Sequence, residues 1–156
     1  MTSRASPLPA LQLSLQQPDG RHRALLQRAK VARWIRAALQ VRSKPAEITV
    51  RVVGADEGRR LNLEFRAQDH ATNVLTFDYA RVPVVVADLV LCAPVVESEA
   101  AVQRIDLEAH YAHLVVHGTL HAQGFDHQRL ADARIMEREE TAVLGELGIR
   151  DPYRPK

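Results

Sequence analysis

Residues 106–127 read DLEAHYAHLVVHGTLHAQGFDH, and this stretch predicts both a central helix and the chemistry of the chain. Five of the seven histidines in the chain fall within it. Asp106 suits the N-cap of a helix that runs to about Gln123, and Gly124 suits the left-handed residue that often follows a helix. His117 and His121 are four residues apart, so their imidazoles project from one face of this helix about one turn apart.

The turn after this helix allows a third histidine to approach the first two. Gly124 lets the chain reverse, so that His127 can return to the same point. Three imidazoles that meet at one point form a tripod for zinc and leave a fourth position open. A set that includes both His113 and His121 is excluded, because residues eight apart lie about 12 Å apart along a helix. We therefore expect one Zn²⁺ per chain, held by His117, His121 and His127.

The histidine spacing matches the zinc-peptidase pattern H-E-x-x-H-x-x-G-x-x-H with one change. Gly118 occupies the position of the glutamate that acts as the general base in those peptidases. Glycine has no side chain to accept a proton, so the pattern predicts a metal-dependent hydrolase that is not a conventional peptidase. A zinc ion held by three histidines can lower the pKa of bound water to about 7, so hydrolysis does not require that glutamate.

Hydrophobic periodicity along the rest of the chain predicts an α+β fold. Alternation predicts strands at 11–15, 48–53, 74–77 and 82–91, and helical spacing predicts helices at 25–39, 56–65, 95–102, 106–123 and 130–147. Asp56 is the expected N-cap of the second helix. We expect one domain over residues 1–156, with residues 1–8 as a loose N-terminal arm.

Composition restricts the class of protein. The chain has 156 residues, a formal net charge of +2 and a single cysteine. Its N-terminus lacks the apolar segment of a signal peptide, and no apolar run is long enough to span a bilayer, so we expect no membrane association. Cys92 cannot form an internal disulfide, which is typical of a reducing compartment and predicts a cytoplasmic protein. We expect Cys92 to be an inert core residue.

Several blocks of the sequence resemble the YbeY family of endoribonucleases. They are LNLEFRAQDHATNVLTF at 61–77, ADLVLCAPVVESEA at 87–100, HGTLHAQGFDH at 117–127 and the closing DPY at 151–153. The resemblance implies a mixed four-stranded β-sheet flanked by helices, with a zincin-like metal-site helix. It also implies that His117, His121 and His127 bind zinc and that Arg66 is the functional arginine.

The same resemblance implies the activity and the partners. The expected activity is single-strand-specific endoribonuclease cleavage in rRNA processing, at the 3′ end of 16S rRNA, and in ribosome biogenesis and quality control. The expected partners are single-stranded RNA and the small ribosomal subunit, with no DNA and no membrane. The counts of 18 arginines and three lysines suit a phosphate-bearing partner, because the guanidinium matches phosphate oxygens. Codon bias in a GC-rich genome explains the same ratio, and we favour that explanation.

Two rival functions and several residue roles stay open at this point. The rivals are a non-enzymatic ribosome-assembly factor with a structural metal and a zinc hydrolase of another substrate class. His113 either supports the site or is an ordinary core or surface residue, and Asp126 is either a proton acceptor or, as we favour, a turn residue. Thr72 and Asn73 either orient the loop that carries Arg66 or only start the strand, and we favour a structural role.

Overall fold

The computed structural model describes residues 10–126 and 128–153. These residues form four strands and five helices. In chain order they are β1 Leu11–Gln16, α1 Arg28–Leu39, β2 Ala46–Val53, α2 Ala55–Arg66, β3 Val74–Ala80, β4 Val85–Cys92, α3 Ala93–Gln103, α4 Leu107–Ala122 and α5 Leu130–Glu146. The predicted N-terminal arm, residues 1–8, lies outside the described residues.

The four strands form one mixed sheet in the order β1-β2-β4-β3. β1 pairs with β2 in parallel, because α1 carries the chain back between them, and β2 pairs with β4 in parallel across a connection that contains α2 and β3. β3 and β4 are joined by a short loop at 81–84 and pair antiparallel. The predicted α+β fold with a mixed four-stranded sheet flanked by helices is therefore confirmed.

The alternation of apolar residues decides which helices cover each face of the sheet. Ile48, Val50 and Val52 of β2 are buried on one face, in a core that they share with α1, α4 and α5. On the other face Val53, together with residues of β3 and β4, packs against α2 and the start of α3. The sheet thus has helices on both faces, and α4 lies between the sheet, α1 and α5.

α4 begins and ends as its sequence predicts. The Asp106 side chain caps the helix by accepting a hydrogen bond of 3.1 Å from the backbone N–H of Ala109. Gly124 follows the helix with a φ of 106°, a conformation that L side chains rarely adopt. Neither α4, with 16 residues, nor any other helix in the described parts of the chain is long and apolar enough to cross a membrane.

Gly118 allows α4 to pack closely against the sheet. A Cβ atom at this position would lie 2.9 Å from Cδ2 of Leu89 on β4 and 3.2 Å from Oγ1 of Thr76 on β3. Both distances are shorter than ordinary van der Waals contacts. The glutamate that zinc peptidases have at this position could therefore be accommodated only if Leu89 and Thr76 moved.

The starts of α1 and α2 differ from those predicted. α1 begins at Arg28 rather than at residue 25, because residues 22–26 form a turn in which Leu26 N–H donates to the carbonyl oxygen of His22 at 3.0 Å. α2 begins after Gly54, and Asp56 is not its N-cap. Asp56 instead lies in the first helical turn, where its negative charge interacts favourably with the helix dipole.

The two prolines near β4 account for two further differences. β4 begins at Val85 rather than at residue 82, because Pro83 has no N–H to donate to the sheet. α3 begins at Ala93, before Pro94 rather than after it. Proline is tolerated there because the first N–H groups of a helix have no partner within the helix.

Replacing Gly118 by alanine is expected to destabilise the fold, because the added methyl group would meet Leu89 and Thr76. Overpacking costs about 1–3 kcal/mol, whereas alanine gains about 0.5–1 kcal/mol over glycine in a helix. Gly145 on α5 is the matched control, since no described atom lies within 4 Å of the position that its Cβ would take. Urea unfolding should show a loss of stability for Gly118→Ala and none for Gly145→Ala. Equal stability of the two variants would contradict the close packing at Gly118.

Candidate functional site

A cleft of about 350 Å³ lies where α2, the loop after it, β3 and α4 meet. α2 contributes the residues near its C-terminus, the loop and β3 form one wall, and α4 contributes two histidines. The lining residues are Asn62, Arg66, Gln68, His70, Thr72, Val74, Leu75, Thr76, His117 and His121. The structure therefore brings Arg66, His117 and His121, three of the four predicted site residues, to one cleft.

The helical spacing of α4 places its two histidines in this cleft. His117 and His121 lie one turn apart on the same helix and both line the cleft. Gly118, between them, faces the sheet and packs against Leu89 and Thr76. The close packing of the helix on β3 therefore sets the position of both imidazoles relative to the strand that forms the opposite wall.

Glu140 of α5 forms a hydrogen bond with His117 without lining the cleft. The Glu140 side chain is completely buried, and its Oε1 accepts a hydrogen bond from Nδ1 of His117. Its Oε2 accepts one from Nε2 of His113 at 3.4 Å and another from the hydroxyl of Tyr153. Three donors from α4 and the C-terminal segment thus converge on one carboxylate.

These contacts keep Glu140 ionised. Burial by itself would raise the pKa of the carboxyl, because the charged form loses its hydration. The hydrogen bonds from His113, His117 and Tyr153 outweigh burial and lower the pKa of Glu140 to about 2. Burial and the contact with Glu140 raise the pKa of Tyr153. At neutral pH the carboxylate accepts and the tyrosine retains its proton.

Arg66 is the last residue of α2 and is anchored to the wall of the cleft. Its Nη2 donates to the carbonyl oxygen of Thr76 at 2.8 Å and its Nη1 to that of Phe65 at 3.2 Å. Its Cζ lies 5.0 Å from the centre of the Phe77 ring. These hydrogen bonds use two of the five N–H donors of a guanidinium, so the other donors can meet an anion in the cleft.

The loop between α2 and β3 is fixed by two asparagines. Nδ2 of Asn62 donates to the carbonyl oxygen of His70 at 2.8 Å. Nδ2 of Asn73 donates to Glu99 at 3.0 Å, and its Oδ1 accepts from the N–H of Val74. Asn73 thus has the structural role favoured from the sequence.

Asp126 and Cys92, both singled out in the sequence, and His110, another histidine of α4, have structural surroundings. His110 is buried, and its Nε2 lies 2.9 Å from Oε1 of Glu99. Oδ1 of Asp126 accepts from the N–H of Gln128 at 3.2 Å, as expected of a turn residue. Cys92 is buried, and burial raises the pKa of its thiol. His113 supports the site indirectly, through Glu140.

The donor set in the cleft fits zinc as far as the described residues extend. Among residues 10–126 and 128–153, no three His, Cys, Asp or Glu side chains are arranged to hold one metal ion. The third predicted ligand, His127, lies outside these residues. His117 has its Nδ1 on a carboxylate, the arrangement typical of metal-bound histidines. Imidazole nitrogens are ligands that suit Zn²⁺.

Sequence reasoning missed Glu140, Tyr153, Asn62 and His70. Glu140 is one of four consecutive charged residues at 137–140, a run that is usually solvated. One signal could have identified it, because Met136 and Leu144 lie four residues to either side and are buried. A carboxylate within an apolar stripe of a helix requires a buried partner.

Comparison with known proteins agrees with the resemblance in the sequence. A family model described as Endoribonuclease YbeY matches residues 17–148. An Endoribonuclease YbeY from Methylibium petroleiphilum is 66% identical over 145 residues, which cover 93% of this chain and 95% of the relative. One from an Acidovorax species is 68% identical over 133 residues, covering 85% of this chain and 86% of the relative.

A solved structure supports the fold independently. The solution structure of a protein from Thermotoga maritima covers 93% of this chain and 99% of its own, with a TM-score of 0.59 and 24% sequence identity. At that identity the likeness concerns the fold alone. The family model and the relatives extend over most of the chain, and the chain therefore belongs to the YbeY endoribonuclease family.

Proposed function

We propose that this protein is a zinc-dependent endoribonuclease that cleaves single-stranded RNA in the cytoplasm. Its place would be in rRNA processing, at the 3′ end of 16S rRNA, and in ribosome biogenesis and quality control on the small subunit. Membership in the endoribonuclease family supports RNA as the substrate. The single observation that carries the proposal is the composition of the cleft, which contains Arg66, His117 and His121 but no acidic residue among the described lining residues.

The residues that would hold zinc are His117, His121 and His127. When bound, zinc supplies Lewis-acid chemistry, polarising a phosphodiester oxygen or activating water. The chain itself contributes the positions of the imidazoles through α4, with Glu140 behind His117. Because residue 118 is a glycine, without a side chain that could accept a proton, the site differs from a zinc peptidase in the group that would take up a proton.

Arg66 would bind the scissile phosphate. Its guanidinium is held by the carbonyl oxygen of Thr76 and by the Phe77 ring, so less conformational entropy is lost when it meets an anion. It would also offset the negative charge that develops on the phosphate in the transition state. A preference for single strands follows if only an unstacked backbone can enter the cleft.

Replacing His121 by alanine is expected to abolish both zinc binding and RNA cleavage, because the tripod loses one of three ligands. Elemental analysis and cleavage of a labelled single-stranded RNA measure the two effects. The control is His110→Ala, which removes another imidazole of the same helix. The His110 ring contacts Glu99 and does not line the cleft, so this variant should retain zinc. Circular dichroism must show that both variants are folded, since loss of a metal can also unfold a domain.

Three results of that experiment, run in parallel with an assay on casein, would contradict the proposal. If the wild type binds one zinc ion per chain but does not cleave RNA, a ribosome-assembly factor with a structural metal would be favoured. Cleavage of casein rather than RNA would favour a hydrolase of another substrate class. Absence of zinc from the folded wild type would show that the histidines do not form a metal site.

Replacing Arg66 by alanine is expected to lower RNA cleavage about 100- to 1000-fold, the loss typical of removing one preorganised donor at a developing charge. Zinc content should not change, because Arg66 contacts carbonyl oxygens and not the histidines. Arg60→Ala is the matched control, since Arg60 is exposed on the same helix and does not line the cleft. Full activity of the Arg66 variant in a single-turnover assay would contradict the phosphate-binding role.

A further inference from the structure

Glu140 is a carboxylate with no access to solvent that contacts a predicted metal ligand without lining the cleft. A buried charge is costly unless several hydrogen bonds compensate for the lost hydration. Glu140 has such compensation, but two of its three donors, His113 and Tyr153, lie outside the predicted tripod. The arrangement requires an explanation beyond the stability of α5.

We infer that Glu140 is a positioning residue for the metal centre, acting through His117. This inference rests on the proposed zinc-dependent function. Nδ1 of His117 donates to Oε1 of Glu140, so Nε2 is the ring nitrogen that remains for a metal. Glu140 thus determines which nitrogen of His117 can bind the metal and how its ring is oriented.

Tyr153 and His113 hold Glu140 in turn. The Tyr153 hydroxyl donates to the oxygen of Glu140 that His117 does not use. The rings of His113 and Tyr153 pack edge to face at 5.7 Å, and those of His113 and His117 at 6.4 Å. With its second oxygen occupied, the carboxylate cannot rotate away from His117 without losing a hydrogen bond.

The C-terminal segment is thereby tied to the site. Oδ1 of Asp151 accepts from the backbone N–H of Tyr153 at 2.9 Å and from Oγ1 of Thr141 at 3.3 Å. Thr141 is the residue next to Glu140 on α5. The turn at 151–153 therefore brings the tyrosine ring back over the helix that carries the carboxylate.

Another carboxylate–imidazole pair in the chain provides a matched control. Oε2 of Glu97 lies 2.9 Å from Nε2 of His22, and neither residue lines the cleft. Glu97→Gln removes the charge from this pair, as Glu140→Gln removes it from the pair with His117. Both substitutions preserve the size of the side chain and an oxygen that can accept a hydrogen bond.

The experiment measures zinc affinity by competition with a chromophoric chelator, at a temperature where the metal-free proteins are folded. Glu140→Gln is expected to weaken zinc binding about 10- to 100-fold, the range for loss of such a supporting carboxylate. Glu97→Gln should match the wild type. Substitution of cobalt(II) gives a second measurement, because its visible absorption reports ligand geometry and should change only in the Glu140 variant.

A purely structural role predicts a different result. The metal-free Glu140→Gln protein would then melt at a lower temperature, but its zinc affinity and cobalt spectrum would equal those of the wild type, and the inference would be wrong. If Glu140→Gln does not fold, the zinc affinity of Tyr153→Phe tests the inference instead. That substitution keeps the aromatic ring and removes the hydroxyl that donates to Glu140. Unchanged zinc affinity there overturns the inference, and weaker binding supports it.

The failure of the proposed function would be visible separately. A folded wild type that binds neither zinc nor cobalt overturns the metal centre, and the inference falls with it. A wild type that binds one zinc with the same affinity as Glu140→Gln overturns the inference alone.

Discussion

The close packing of α4 against β3 and β4 is the constraint on which the site depends. Gly118 makes it possible, because any side chain there would collide with Leu89 and Thr76. The carbonyl oxygen of the same Thr76 anchors Arg66. The distance between helix and strand therefore controls both the position of the histidines and that of the guanidinium across the cleft. A helix displaced by one side-chain layer would separate these two groups.

The buried carboxylate of Glu140 imposes a second constraint, which acts through charge. An ionised group without access to solvent must be surrounded by donors, and those donors come from α4 and from the segment after α5. The position of α5 is thus coupled to the orientation of His117. The same contacts that satisfy Glu140 also restrict the ring that the metal would bind, so stability and site geometry depend on one set of hydrogen bonds.

The parts of the structure that follow from local spacing could be predicted, and those that follow from tertiary contacts could not. Residues four apart lie on one face of any helix, so the placement of His117 and His121 followed from their spacing. The Asp106 cap could be predicted because it directly precedes the helix that it begins. Arg66 was identified through resemblance to a family rather than through spacing. Tyr153 was out of reach, because its contact with Glu140 depends on how the chain turns after α5.

The electrostatics of the cleft favour an anionic substrate over a peptide. In a zinc peptidase the residue after the first histidine is a glutamate, whose negative charge beside the metal would repel a phosphodiester. Here that position is Gly118, and the described residues that line the cleft are neutral or basic. The carboxylate that the site does use, Glu140, is buried behind His117, where its charge is compensated by three donors. A phosphate in the cleft would meet Arg66 without meeting a carboxylate among the described lining residues, so its negative charge would be offset rather than repelled.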